Sequence, residues 1–250
     1  MALKSIHLPV SSSSVSASPS DHFEGFTLPA ANQDGTDQDQ PRYMLILLHG
    51  WGADAQDLAG LFPLMQPDLP NFDFLAVNAP EICSMNPAGR QWFELSFTPD
   101  ETGFGMQVDR RAVPEAAKKT RALIHLILSS ASAAFNIPVS HIVLGGFSQG
   151  GMMTLAAGLS TAERPAGLAC LSGGLPTADD YQAAGDMPLP ILLTHGARDE
   201  VVPIEACHDA AEKLAALGYA PDLLHSPHTG HGIDEAMLGR LVSFCQHITA

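Results

Sequence analysis

The chain has 250 residues, of which 46% are hydrophobic and only 16% are charged, and this composition excludes an intrinsically disordered protein. Twelve Lys and Arg stand against 27 Asp and Glu, so the formal net charge is −15 and no basic stripe is present. This argues against nucleic acid or another polyanion as a partner. The four cysteines lack C-x-x-C spacing, which predicts reduced thiols in a cytoplasmic protein, and no run is long enough for integral membrane association.

The N-terminal segment differs in composition from the rest of the chain. Ser11 to Ser20 is a serine-rich tract, and the residues before it lack the apolar core of a signal peptide. We therefore predict that residues 1–20 are disordered and that residues 21–250 form a single domain. His22–Leu28 is predicted as its first edge strand, followed by a polar loop over 32–41.

Strands and helices alternate along the remainder of the chain. Apolar runs predict strands at Tyr43–Leu48, Phe72–Val77, Ile142–Phe147, Leu168–Ser172 and Ile191–His195, with a weaker one at Asp222–Leu224. Helical patterns are predicted over 57–65, 114–135, 152–159, 204–217 and 234–248. This alternation predicts an α/β fold with a mostly parallel central sheet flanked by helices on both faces.

The stretch 78–107 has no periodicity and is rich in proline, glycine and aromatic residues. An irregular loop of this length inside a compact domain usually serves a function, such as covering a site. We predict that Trp92 and Phe93 bind substrate here, although aromatic residues more often belong to the core.

Gly146-Phe147-Ser148-Gln149-Gly150 carries the clearest chemical signal. It follows a predicted strand and leads into a predicted helix, as the G-x-S-x-G nucleophile elbow requires. Glycines at both flanks allow the tight turn that exposes the serine hydroxyl. Ser148 is therefore predicted as a nucleophile.

A serine nucleophile needs a base, and the base needs an orienting acid. In α/β-hydrolases the acid and then the histidine follow the serine along the chain. Asp199 follows a predicted strand, unlike its rivals Asp209 and Asp222. His231 lies between two glycines and is favoured over His225 and His228. The predicted triad is accordingly Ser148, Asp199 and His231, at one rim of the sheet.

A second glycine-rich turn, His49-Gly50-Trp51-Gly52, follows the strand 43–48 at the same rim. The backbone N–H groups of Trp51 and Gln149 are predicted to form an oxyanion hole. His49 and His195 are interpreted as structural residues that bond the local backbone. No H-E-x-x-H motif or comparable ligand spacing appears, so we expect no metal site.

Six ordered motifs together resemble the phospholipase/carboxylesterase family of α/β-hydrolases, which includes acyl-protein thioesterases and bacterial carboxylesterases. They are Leu47–Gly52, Asn78–Pro80, Gln91–Phe93, Gly145–Gly151, His195–Asp199 and Gly230–Gly232. The resemblance covers roughly residues 40–248, and the segment 78–93 is more similar to the bacterial branch. It implies hydrolysis of carboxylic esters, sometimes thioesters or lysophospholipids, without a metal or organic cofactor. It also allows a homodimer, although no hydrophobic stripe marks an interface.

The resulting hypothesis is a serine carboxylesterase that hydrolyses small-molecule esters with short to medium acyl chains through an acyl-enzyme on Ser148. An acyl-protein thioesterase or lysophospholipase would share the same machinery and stays open as an alternative. A non-catalytic binding protein of the same fold is a more distant alternative, because such proteins usually lose the nucleophile or the base.

Overall fold

A computed structural model describes residues 2–9, 22–32, 41–99, 106–186 and 189–249. The serine tract 11–20, most of the predicted loop 32–41 and positions 100–105 of the stretch 78–107 lie outside the described residues.

Twelve strands occur in the described part of the chain. They are β1 (Lys4–Pro9), β2 (His22–Leu28), β3 (Tyr43–Leu48), β4 (Phe72–Val77), β5 (Glu81–Ile82), β6 (Arg90–Gln91), β7 (Phe97–Pro99), β8 (Met106–Val108), β9 (Ile142–Phe147), β10 (Gly167–Leu171), β11 (Ile191–Gly196) and β12 (Asp222–Ser226). Eight of these form one sheet in the order β1-β2-β4-β3-β9-β10-β11-β12. Within this sheet, neighbouring strands pair in parallel throughout the run β4-β3-β9-β10-β11-β12. In contrast, β2 runs antiparallel to both of its neighbours. The predicted mostly parallel sheet is confirmed.

The prediction of a disordered segment over residues 1–20 is wrong at Lys4–Pro9. These residues pair antiparallel with β2, so β1 is the edge strand of the sheet and His22–Leu28 lies inside it. The physical reason is that burial alternates along this segment, as it does in a strand with one face on the core. Leu8 is fully buried, while its neighbours His7 and Pro9 face solvent.

Six α-helices connect the strands of the described chain. They are α1 (Ala55–Ala59), α2 (Phe62–Met65), α3 (Val113–Phe135), α4 (Gln149–Gly158), α5 (Glu205–Ala216) and α6 (Glu235–Thr249). The single helix predicted over 57–65 is divided because α1 ends at Gly60 and a proline opens α2. Pro114 lies in the first turn of α3, which ends at Asn136 in the left-handed conformation (φ 52°). None of the helices in the described residues is long and apolar enough to cross a bilayer.

Two hydrophobic clusters cover the two faces of the sheet. Ile124 of α3, Met153 of α4 and Leu214 of α5 belong to one cluster, whereas Leu58 of α1 and Leu241 of α6 belong to the other. Helices therefore pack on both faces, as predicted, and together they bury nearly all residues of β3, β4, β9, β10 and β11.

The register of the parallel strands brings their carboxyl ends to one edge. Leu48 at the end of β3 pairs with Gly146, and Leu171 at the end of β10 pairs with Phe147 and Thr194. The loops after β3, β9, β11 and β12 consequently leave the sheet at the same rim.

Candidate active site

Ser148 occupies the sharp turn between β9 and α4, with φ 54° and ψ −117°. A positive φ is unfavourable for a non-glycine residue and costs on the order of 1–3 kcal/mol, so the surrounding structure must hold it in place. The Ser148 N–H donates to the Leu171 carbonyl (2.8 Å), and its carbonyl accepts from the Met152 N–H (3.0 Å). The strained turn is thus held between β10 and the first turn of α4.

Glycine is required on both sides of Ser148. A Cβ atom at Gly150 would lie 2.0 Å from the Leu48 carbonyl oxygen, and one at Gly146 would lie 2.4 Å from the Gly150 carbonyl carbon. Both contacts are with backbone, which cannot rotate away. The two glycines let α4 start directly against the ends of β3 and β9.

The three residues predicted as a triad lie together. His231 Nε2 is 2.9 Å from Ser148 Oγ, and His231 Nδ1 is 2.7 Å from Asp199 Oδ2. The Asp199 side chain is fully buried, whereas that of His231 is 19% exposed. Because the carboxylate can only accept, Nδ1 carries the ring proton and Nε2 is left to accept from the Ser148 hydroxyl.

Backbone donors stabilise the negative charge of Asp199. Its Oδ1 atom accepts from the N–H groups of Val201 (2.9 Å) and Val202 (2.8 Å). His195 Nε2 donates to the Val202 carbonyl (2.7 Å) and lies 3.5 Å from Asp199 Oδ2. The structural role predicted for His195 is confirmed, and burial lowers its pKa, so the ring is neutral.

A second carboxylate organises the loop that carries His231. Asp234 Oδ2 accepts from the hydroxyls of Ser226 and Thr229, and its Oδ1 accepts from the Met237 N–H (2.9 Å) at the start of α6. Burial by itself would raise the pKa of Asp234, but these hydrogen bonds outweigh burial and lower it. The turn between β12 and α6 is therefore fixed at both ends around His231.

The residues that rivalled Asp199 as the acid and His231 as the base make other contacts. Asp209 pairs with Lys213 (2.7 Å) and Asp222 pairs with Arg240 (3.2 Å). His225 lies against the Cys207 sulfur at 3.9 Å, away from the elbow.

The turn after β3 passes directly beside the elbow. A Cβ atom at Gly50 would lie 3.4 Å from Ser148 Cβ, so Trp51 follows immediately next to the serine. The Gln149 N–H belongs to the first turn of α4, where no intrahelical acceptor exists. Gln149 directly follows Ser148 and Trp51 directly follows Gly50, and an oxyanion hole formed by their two N–H groups stays a prediction.

His49 holds this turn in shape. Its Nε2 atom accepts from the Ala79 N–H (3.0 Å), so Nδ1 must carry the proton that it donates to the Gly50 carbonyl (2.8 Å). Burial lowers the pKa of His49, which keeps the ring neutral in this arrangement. The structural role predicted for His49 is confirmed.

Trp92 and Phe93 do not present accessible surface. Trp92 is 1% and Phe93 is 4% exposed, and both belong to the core cluster that includes α3 and α4. The Trp92 indole N–H donates to the His49 carbonyl (2.8 Å). Both side chains are thus part of the core, and Trp92 supports the turn at the rim; their contact with substrate stays a prediction.

Two contributions to the site were missed in the sequence. The Gln149 side chain accepts from the Trp92 N–H (2.9 Å) and donates to the Phe93 carbonyl (2.8 Å), tying the 78–107 stretch to the elbow. The Phe147 ring lies 4.8 Å from the His231 ring between centroids. Their position beside Ser148 in the motif was the available signal, but the motif assigns no role to the side chains at its variable positions.

Solved structures of other proteins are similar to this chain over most of its length. Esterase PE8 is 29% identical in sequence, with a TM-score of 0.78 over 90% of this chain and 99% of that chain. The Arabidopsis thaliana protein SOBER1 is 26% identical, with a TM-score of 0.65 over 84% of this chain and all of that chain. The fold is that of an α/β-hydrolase.

The sequence comparison is more specific. Residues 35–249 match the family described as Phospholipase/Carboxylesterase. An acyl-protein thioesterase 1 from Gibberella zeae is 28% identical over 207 residues, which cover 78% of this chain and 83% of that protein. The chain belongs to the phospholipase/carboxylesterase family, a hydrolase family with esterase and thioesterase members.

Proposed function

We propose that the protein is a serine carboxylesterase whose catalytic residues are Ser148, His231 and Asp199. The observation that carries the proposal is the continuous chain of hydrogen bonds from the Ser148 hydroxyl through His231 to the buried Asp199 carboxylate. A serine hydroxyl is unreactive at neutral pH, and this chain supplies the base and the orienting acid that it needs.

In the proposed reaction, Ser148 Oγ attacks the ester carbonyl carbon while His231 Nε2 takes the hydroxyl proton. The N–H groups of Trp51 and Gln149 stabilise the oxyanion of the tetrahedral intermediate, a contribution of about 3–4 kcal/mol per donor to the barrier. His231 then protonates the departing alcohol, leaving an acyl-enzyme. A water molecule, deprotonated by His231, attacks the acyl-enzyme and releases the carboxylic acid.

For the substrate, we propose esters with short to medium acyl chains. The similarity to esterase PE8 supports an ester substrate. The chain length rests on the segment 78–93, which resembles bacterial carboxylesterases. The similarity to the Gibberella zeae acyl-protein thioesterase 1 favours a thioesterase as the second candidate. Thioester hydrolysis would use the same residues in the same steps, so only the leaving group distinguishes the two.

The test of the catalytic residue is Ser148→Ala. We expect a loss of at least about 10³-fold in kcat/KM for p-nitrophenyl butyrate, because the nucleophile is removed and only binding and oxyanion stabilisation remain. A fluorophosphonate probe should label the native protein and fail to label this variant. Ser160→Ala is a matched control, since Ser160 Oγ only bonds carbonyls at the end of α4 (2.8 Å to Ala156). Retained activity in Ser148→Ala would refute Ser148 as the nucleophile, whereas an inactive and unlabelled native protein would favour a binding protein instead.

The test of the substrate class is a chain-length series of p-nitrophenyl esters measured beside an acyl-CoA and an acylated peptide. A maximum at short chains supports the carboxylesterase. Higher kcat/KM on the thioesters would replace it by the thioesterase.

A further inference from the structure

The outermost strand pair carries three potential metal ligands on one face. His7 of β1 pairs directly with Glu24 of β2, and His22 lies two residues before Glu24 on the same strand. Directly paired residues, and residues two apart along a strand, point to the same side of a sheet. Leu8 and Phe23 point to the opposite side and are buried, so the three ligands face solvent.

The donor atoms of these side chains already lie close together. One nitrogen of each imidazole and one carboxylate oxygen are all within 4.8 Å of one another. The two imidazole rings have centroids 4.7 Å apart and are nearly perpendicular, at 70°. Ligands around a tetrahedral zinc ion, with bonds of about 2.0–2.2 Å, are separated by roughly 3.4 Å. Small rotations of these solvent-facing side chains close that gap without movement of the backbone.

We propose that His7, His22 and Glu24 form a zinc-binding site at the edge of the sheet. Two imidazoles and a carboxylate are a donor set that suits Zn²⁺, whereas Ca²⁺ and Mg²⁺ require mainly oxygen ligands. Water completes the tetrahedron on the open side. This site is separate from the proposed esterase reaction, which uses none of the three residues.

The nearest cation leaves the carboxylate available. Arg90 Nη2 lies 3.8 Å from one oxygen of Glu24, a long and solvent-exposed ion pair of small energy. Rotation of Glu24 toward the histidines exchanges this weak pair for a metal bond. Removal of the Arg90 charge should therefore tighten zinc binding.

The structural consequence falls on β1. Among the described strands, β1 is hydrogen-bonded to β2 alone, yet it contributes the buried Leu8 to the core. An ion bound by both strands would link them and oppose the loss of β1 by local opening.

The experiment is isothermal titration of the full, metal-free chain with zinc chloride. We expect one saturable site, weakened at least about tenfold in His7→Ala, because even loss of an outer-sphere partner of a metal site has that effect. His247→Ala, which removes an exposed histidine at the end of α6, should bind zinc like the native chain. Arg90→Gln should bind zinc more tightly.

A second measurement covers the case in which His7→Ala loosens β1. Glu24→Gln keeps the side-chain volume and both histidines, and it should weaken zinc binding to a similar extent. In the native chain, zinc should slow hydrogen exchange of the β1 amides and shift the ring resonances of His7 and His22. The proposal would be overturned by any of three results. These are an unchanged zinc affinity in both His7→Ala and Glu24→Gln, the absence of saturable zinc binding to the native chain, and zinc-induced resonance shifts that are confined to other histidines.

Discussion

Gln149→Met isolates the connection between the elbow and the aromatic segment. The native side chain makes two hydrogen bonds with buried backbone, from the Trp92 N–H at 2.9 Å and to the Phe93 carbonyl at 2.8 Å. Methionine has a similar volume but can satisfy neither group. A buried polar group left without a partner costs about 1–3 kcal/mol, so the free energy of unfolding should fall by about 2–6 kcal/mol. The Gln149 backbone N–H is retained, which separates this effect from the oxyanion hole.

The assay is urea unfolding at constant pH, with kcat/KM for p-nitrophenyl butyrate measured on the same preparations. Gln246→Met is the matched control, because the Gln246 side chain donates to the exposed Asp68 carbonyl at 3.0 Å. Loss of this exposed hydrogen bond should cost less than about 0.5 kcal/mol. Activity should fall in Gln149→Met because the Trp92 indole no longer holds the turn at His49. Equal stability of the two variants would refute the reasoning that Gln149 clamps the segment.

Three further predictions concern the elbow, the acid and pH. Gly150→Ala places a Cβ atom 2.0 Å from the Leu48 carbonyl oxygen, so the free energy of unfolding should fall by about 1–3 kcal/mol and activity should be lost. Gly185→Ala is the control, because a Cβ atom there meets open space. Thermal melts and steady-state kinetics of Gly185→Ala should match those of the native protein. Asp199→Asn should lower kcat by about 10⁴-fold in steady-state assays, because an amide donor reverses the tautomer of His231, and native-like turnover would contradict this role. Burial lowers the pKa of three histidines: His49, His195 and His225. Below pH 6.5 the unfolded chain therefore binds more protons at these histidines than the folded chain does, so the free energy of unfolding should decrease as the pH falls. A free energy of unfolding that increases below pH 6.5 in urea titrations would disprove this prediction.

Local patterns in the sequence were sufficient to predict the parallel part of the sheet and to choose the three residues, Ser148, Asp199 and His231, that the structure brings together. Tyr43–Leu48 and Phe72–Val77 were predicted with the bounds that the structure has, because continuous apolar runs of this length occur in strands buried on both faces. Ser148 was found through its flanking glycines, a local requirement of the tight turn. Asp199 and His231 followed from their positions after strand ends, since parallel strands deliver those loops to one rim.

The tertiary structure decided what depends on pairing between distant segments. Lys4–Pro9 looks like part of a disordered segment until β2 supplies its partner, because an edge strand is stabilised by the neighbour more than by its own residues. Only the register then places His7 opposite Glu24, seventeen positions later in the chain.

The neutral tautomer of His49 and the clamp by Gln149 were equally beyond the sequence. Each depends on backbone groups that arrive from the 78–107 stretch, whose path no periodicity predicts. Sequence patterns report on neighbours along the chain and on the faces of an element. Hydrogen bonds between loops are determined only when the sheet has fixed where those loops begin. For this reason the residues of the proposed triad could be chosen from the sequence, whereas the hydrogen bonds that support them could not.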